Sequence, residues 1–289
     1  MHANSNGFKI ALVFAMLAAL AVATGTATYA WFSSNSVVET DMASGRSGTD
    51  EVKLLVSSSG GGSFRGAEEA SIEQVNKTKT DNLMPVSTAD LSHFVYNTGT
   101  VQGEAVHFEK VKDEQYYYHG RIYLQAVAED RDKSERMALY LDNASENGGE
   151  FLQNTKGSIA NAARLGLTFD DDNKVILRLS EESNAKSEQA GDTVIDGTRL
   201  STGQVIDSSG SSLKAVKDPS VALKEYLAGD NGLGEGATEP LLLMELNRIY
   251  TVDIYFYLEG CDPDCSDVTQ LGKTDFHLAF YGVLAEGGR

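Results

Sequence analysis

The chain has 289 residues, of which 41% are hydrophobic and 23% charged, so it holds enough apolar material for one large folded domain. It carries 42 acidic and 24 basic residues, which give a formal net charge of −18 at pH 7. Such a field repels phosphate backbones and therefore excludes nucleic acid from the expected partners.

The first predicted element is an apolar segment near the N-terminus, FKIALVFAMLAALAVA, at residues 8–23. Its uninterrupted apolar run, from Ile10 to Ala23, is shorter than the about 20 residues that a membrane-spanning helix needs. The run has the length of the central region of a secretory signal, and small residues follow it. This pattern predicts a signal peptide over residues 1–30.

Two cleavage positions place small side chains where signal peptidase requires them. One cut follows Ala27 and the other follows Ala30. The alternative is an uncleaved membrane anchor over residues 8–30, whose weakly apolar segment continues through Trp31 and Phe32, with Tyr29 and Trp31 at the membrane interface. In either case we expect the remaining chain to lie outside the membrane, at the cell surface or in the extracellular medium.

The rest of the chain, residues 31–289, shows mainly the period-two alternation that is typical of half-buried strands. The clearest segments are 119–130, 136–142, 163–180, 250–259 and 275–285. A polar turn at residues 170–173 divides one of them and predicts a hairpin. Weaker strand predictions fall on residues 51–58, 93–97, 104–111 and 240–246.

Two short helices are predicted, at residues 66–77 and 218–229. The second has Asp218 as N-cap, Pro219 at its first position and Gly229 as its stop. The span from about 181 to 238 is rich in Gly and Ser and predicts a long loop insertion rather than a second domain. We therefore expect a single all-β domain, a jelly-roll-like β-sandwich with one or two short helices.

The sequence contains no recognisable catalytic motif. None of its five histidines forms the paired helical pattern of a zinc protease, and no serine has the strand–turn–helix context of a nucleophile elbow. The histidines are His2, His93, His107, His119 and His277. We therefore expect a protein that is not an enzyme and that needs no cofactor.

The most specific local feature is the segment YLEGCDPDCSD at residues 257–267. Cys261 and Cys265 flank a turn fixed by Pro263, so the two thiols can approach and oxidise outside the cell. Unpaired thiols are the alternative. Calcium takes oxygen ligands in flexible loops, which makes the local carboxylates a candidate for a weak calcium site. These carboxylates belong to Glu259, Asp262, Asp264 and Asp267.

Tyrosines cluster at residues 116–118 and again at residues 250–257. Such aromatic strips can stack on carbohydrate, although tyrosine is also common on exposed sheet faces. The alternative function to a structural role is therefore a non-catalytic surface module that binds glycan or calcium.

The segment GTATYAWFSSN at residues 25–35, which follows the short apolar run, resembles the start of Gram-positive secreted proteins of the TasA/camelysin type. The resemblance implies a jelly-roll-like β-sandwich and, as in the best-known members, assembly into biofilm fibres by donation of an N-terminal strand. On this basis Trp31 and Phe32 begin an extended segment, residues 32–44, that would pair with the sheet edge of another copy. The insertion at 181–238 and the cysteine pair depart from that family.

Overall fold

The computed structural model describes residues 37–47, 52–60, 69–76, 83–97, 105–112, 116–128, 135–142, 162–170, 173–179, 193–195, 198–200, 204–207, 215–217, 219–228, 239–260 and 273–285. The regular secondary structure of these residues is almost entirely β-strand. The all-β class predicted from the period-two alternation is therefore confirmed, and the strands build a sandwich of two large sheets.

In chain order the described strands are β1 (Val37–Ser47), β2 (Lys53–Ser57), β3 (Glu69–Ser71), β4 (Glu73–Gln74), β5 (Pro85–Val86), β6 (Val95–Asn97), β7 (Ala105–Lys110), β8 (Tyr118–Val127), β9 (Arg136–Asp142), β10 (Ala163–Phe169), β11 (Asn173–Arg178), β12 (Thr193–Ile195), β13 (Thr198–Leu200), β14 (Gln204–Asp207), β15 (Ala215–Lys217), β16 (Val221–Ala222), β17 (Leu227–Ala228), β18 (Leu242–Glu245), β19 (Ile249–Glu259) and β20 (Lys273–Leu284). A single 3-10 turn, Leu223–Tyr226, joins β16 to β17.

The two large sheets are named sheet A and sheet B. Sheet A has the order β17-β9-β20-β1-β3, with β18 also paired to β9. Sheet B has the order β16-β11-β10-β19-β8-β2, with β4 beside β8 and β5 beside β19. Two three-stranded sheets, β13-β12-β15 and β14-β7-β6, complete the described part.

The main hydrophobic core lies between sheet A and sheet B. Alternate residues of each long strand point into it, because successive side chains of a strand leave on opposite faces. Completely buried examples are Ile122, Leu124, Leu139, Leu141, Val252, Ile254, Leu278 and Phe280. Full burial of one such side chain contributes about 1.5–3 kcal/mol to folding, so this layer holds the two sheets together. The strands predicted from the alternation at residues 119–130, 136–142, 250–259 and 275–285 are confirmed as β8, β9, β19 and β20.

The predicted hairpin at residues 163–180 is also confirmed. β10 and β11 pair antiparallel, from Arg164 with Arg178 to Phe169 with Asn173. Asp170 at the turn has φ of 49°, a left-handed conformation that Asp tolerates better than most residues. The hairpin places β11 near one edge of sheet B, where it later forms a cleft wall.

A second hydrophobic cluster covers the outer face of sheet B, where the alternation pattern predicted an exposed polar face. Residues 83–97 and Val111 pack over β19 there, and Asp253, Tyr257 and Glu259 on the outer face of β19 are buried. The buried members of the cluster are Val86, Leu91, Phe94, Val111, Tyr117, Ile176 and Tyr257. The prediction that β19 is half-buried is therefore wrong, because this strand is covered on both faces.

Both predicted helices are wrong in the described residues. Residues 69–74 form β3 and β4, which pair with β1 and β8. Within 218–229, β16 pairs with β11 of sheet B and β17 pairs with β9 of sheet A, and only the 3-10 turn separates them. An isolated helix of three turns is marginal in water, and pairing with the two sheets buries Ala222 and Ala228 as well, so it overrides the capping signals.

The span predicted as a loop insertion, 181–238, also contains strands. β12, β13 and β15 form their own small sheet, and β14 pairs with β7. Because β16 and β17 belong to sheets B and A, this span is connected by backbone pairing to both layers of the sandwich.

Candidate functional site

Most residues singled out in the sequence lie outside the described part of the chain. This applies to the N-terminal segment 8–30 with Ala27 and Ala30, to Trp31 and Phe32, and to the cysteine loop with Cys261, Asp262, Asp264, Cys265 and Asp267. Glu259 is the one carboxylate of the calcium candidate that is described. In the parts of the chain that the structure covers, no helix is long and apolar enough to cross a membrane.

Glu259 is buried at the end of β19, with 4% of its surface exposed. Its Oε1 accepts a hydrogen bond from the hydroxyl of Ser87, which is also buried. The next residue, Gly260, donates its N–H to the carbonyl of Val86 at 3.0 Å. These contacts fasten the end of β19 to the covering segment. Among the described residues, no group of three or more His, Cys, Asp or Glu side chains is placed to hold a metal ion.

The candidate assembly site is β1, the first described strand. It lies in the interior of sheet A, parallel to β20 on one side and antiparallel to β3 on the other. Its register joins Val37 to Lys273 and Ser47 to Gly282. The predicted extended segment 32–44 therefore reaches into a strand from Val37 onward, and that strand pairs with the chain's own sheet.

The inward-facing residues of β1 that the structure describes are small. Ala43 is completely buried in the main core. A Cβ on Gly45 would lie 3.0 Å from Cγ2 of Val56 and 3.1 Å from Cγ of Leu54, so the backbone of β1 approaches β2 of the opposite sheet closely. Small side chains bury little apolar surface, so backbone hydrogen bonds to the neighbouring strands contribute a large share of the stabilisation of β1 around Ala43 and Gly45.

A charged cluster lies on the outer face of sheet B, where β8 and β19 pair directly. Arg121 lies opposite Asp253 and donates two hydrogen bonds, Nε to Oδ1 at 2.7 Å and a terminal nitrogen to Oδ2 at 3.0 Å. Nε2 of His119 lies 3.2 Å from Oδ1 of the same carboxylate. The imidazole of His119 stacks on Tyr255, its own cross-strand partner, with ring centroids 4.4 Å apart.

This cluster shifts the pKa of Asp253 below its usual range. Burial alone would raise the pKa, but the hydrogen bonds from His119 and Arg121 and the positive charge of Arg121 outweigh it. The same hydrogen bond to Asp253 raises the pKa of Arg121, against the opposing effect of burial. The arrangement is a bidentate cross-strand ion pair that fixes the register of β8 against β19.

The tyrosines proposed as a glycan-binding strip are mostly part of the two cores. Tyr117, Tyr118, Tyr250 and Tyr257 are all buried. Phe94 stacks on Tyr117 with ring centroids 3.8 Å apart and meets Tyr257 edge-on at 5.5 Å. Their rings fill space between strands instead of forming a platform for a sugar.

A turn at residues 88–93 was not identified from the sequence. Thr88 Oγ1 accepts the N–H groups of Asp90 and Leu91, and Asp90 Oδ1 accepts those of Ser92 and His93. Oδ2 of Asp90 also lies 2.7 Å from Nδ1 of His93. The signal available in the sequence was the spacing of Thr88 and Asp90, short polar residues that bond nearby backbone.

Fold and site together define an all-β sandwich whose N-terminal strand is enclosed within a sheet. The chain matches no protein-family model, no curated protein and no solved structure.

Proposed function

We propose that the protein is an exported structural protein of the cell surface or extracellular medium, and that copies assemble into fibres by exchanging β1. The observation that supports this is the position of β1, the first described strand, which pairs along its length with β20 and is covered on its other side by β3 at Met42–Ser44. The resemblance of residues 25–35 to the TasA/camelysin type gives independent support.

Withdrawal of β1 from its own sheet exposes two strand edges, those of β20 and β3. Exposed edges present unpaired N–H and C=O groups that another strand can satisfy. A β1 donated by a second copy makes the same backbone bonds as the original, so exchange costs little once the strand has been released. Head-to-tail exchange extends into a fibre when the rotation between successive copies does not close into a ring, which is the arrangement we propose.

A covalent lock on β1 tests this mechanism. Ser44 and Ala279 are register partners in the β1–β20 ladder, and partners on neighbouring strands lie about 4.7–4.9 Å apart, within the range that a disulfide accepts. In the double variant Ser44→Cys/Ala279→Cys, oxidation holds β1 in its own chain. We expect fibres in negative-stain micrographs of the reduced variant and single particles of the oxidised variant.

The two single variants, Ser44→Cys and Ala279→Cys, serve as matched controls and should assemble whether oxidised or reduced. The intact mass under each condition establishes whether the added bond has formed. Fibres of equal abundance from the fully locked double variant would refute strand exchange. A chain lacking residues 31–47 should remain unassembled, and fibres from that chain would exclude β1 as the donor.

A further inference from the structure

A cleft with a volume of about 250 Å³ lies at the edge of sheet B, between β11 and the segment that leads into β16. One wall consists of Lys174, Val175 and Ile176 of β11. The opposite wall consists of Pro219 and Val221, and Leu91 and Tyr226 complete the lining, together with Ala89 and Asp90.

The cleft exists because the backbone pairing between β16 and β11 is short. β16 pairs with β11 only at Leu177 and Arg178. Pro219 has no N–H to donate, so the ladder cannot continue toward the start of β11 through this residue. On the side of β11 away from β10, no described strand pairs with Asn173–Ile176. Alternate backbone N–H groups of this part of β11 therefore point toward the cleft.

The cleft combines apolar walls with donor groups. Leu91, Ile176 and Val221 supply the apolar surface. The ammonium of Lys174 is exposed and donates one hydrogen bond, to the carbonyl of Asp90 at 3.1 Å. An ammonium has three donors, so Lys174 can still bind a carboxylate.

Asp90 is the acidic residue among the described residues that line the cleft. Both carboxylate oxygens of Asp90 already have partners in the turn, namely the backbone of Ser92 and His93 and the imidazole of His93. Burial raises the pKa of Tyr226, and the charges of Glu225 and Glu239 raise it further, so its phenol keeps its proton as a potential donor.

We propose that this cleft binds a small amphipathic carboxylate, with its apolar body against Leu91, Ile176 and Val221 and its carboxylate on the ammonium of Lys174. The volume is below the about 300–1,000 Å³ of pockets for drug-sized ligands, so the ligand is a molecule the size of an arylalkanoic acid or a single amino-acid side chain with a terminal carboxylate.

The probe is 3-phenylpropanoate, titrated against the full chain and followed by ligand-observed NMR. The neutral 3-phenylpropanamide has the same shape without the charge. The titration is run near 0.15 M salt, where a Debye length of about 8 Å screens most of the net negative charge of the protein. We expect saturable binding of the carboxylate, about tenfold tighter than that of the amide, as a charge-assisted hydrogen bond predicts.

Lys174→Gln should weaken binding of the carboxylate about tenfold and leave binding of the amide unchanged. Lys53→Gln is the matched control, because Lys53 is an exposed lysine of β2 outside the cleft. Val221→Phe should abolish binding of both probes by filling the space, with the unfolding midpoint in urea as a check on its fold. The absence of saturable binding by the native chain, equal affinity for both probes, or an equal loss in the Lys53 variant would each overturn the proposal.

Discussion

Leu91 has the least favourable backbone conformation described for a large residue in this chain, and its side chain is buried directly over Gly166. Its φ is 58°, in the left-handed region that bulky residues avoid. The hydrogen bonds of the Thr88–Asp90 turn hold it there. The side chain of Leu91 is 3% exposed and lies in the second hydrophobic cluster. It packs against the backbone of Gly166 on the outer face of sheet B.

The substitution Gly166→Ala should disrupt this pair. A Cβ at position 166 would lie 2.4 Å from Cδ2 of Leu91 and 2.9 Å from Cδ1. Carbon atoms in contact are normally about 3.5–4.0 Å apart, so the leucine must move by about 1 Å or more within a packed cluster. Overpacking of this kind lowers the free energy of unfolding by about 1–3 kcal/mol. Leu91→Ala alone should lower it by about 2–5 kcal/mol through the cavity it creates.

The double variant tests whether Leu91 packs directly on Gly166. In Gly166→Ala/Leu91→Ala the new methyl group enters the space that the leucine leaves, so the loss should be smaller than the sum of the single losses by about 1–2 kcal/mol. Urea unfolding curves of the four proteins, compared at constant m-value, measure this coupling. Additivity within about 0.5 kcal/mol would show that Leu91 does not pack on Gly166 and would refute this account of the second core.

Three further predictions concern the charged cluster, the acid range and β1. Arg121→Met leaves the buried carboxylate of Asp253 without its bidentate partner and should lower the free energy of unfolding by about 2–3 kcal/mol in urea titrations. This loss is smaller than that for breaking a fully buried ion pair, because Arg121 is partly exposed. An unchanged urea midpoint would contradict the prediction. The pKa of Asp90 and that of Asp253 both lie below their usual range, so the unfolded chain binds more protons than the folded one. Stability should therefore be full above the ordinary carboxyl pKa of about 4 and fall as the pH drops below it, less steeply in Asp90→Asn; a flat profile in urea titrations between pH 2 and 7 would refute this. Gly45→Val should loosen β1 through contact with Leu54 and Val56, giving faster amide exchange in β1 than the native chain, whereas Ser47→Thr, at the half-buried end of the same strand, should not.

The sequence was most informative where a strand alternates strictly. In β8 and β19 the alternation places Ile122 with Leu124 and Val252 with Ile254 on one face of each strand, and all four are completely buried. This works because side-chain direction in a strand has a fixed period of two, whatever the strand pairs with. The same rule gave the hairpin of β10 and β11, whose turn is local in sequence.

The errors arise where distant segments determine the local structure. Tyr257 and Glu259 alternate with the core-facing residues of β19, and nothing near them in the chain shows that residues 83–97 cover their face of the strand. The capping residues around Pro219 are typical of a helix, but the edges of β9 and β11 pair with this segment instead. The pairing of Arg121 with Asp253 needed the register between β8 and β19, which alternation alone does not determine.

The neighbouring positions of β1 and β20 determine when the sandwich can complete its folding. The ladder between them joins Val37 to Lys273, so β1 pairs with a strand that follows it by more than 200 residues. Contacts of such long sequence separation slow folding, because the entropy cost of closing a large loop comes before the hydrogen bonds of the ladder can form. Sheet A therefore closes only once β20 is in place, and until then the edges of β9 and β1 that face β20 are open to other chains. The time spent in that state, rather than the stability of the finished fold, sets how often neighbouring copies meet with unpaired strands.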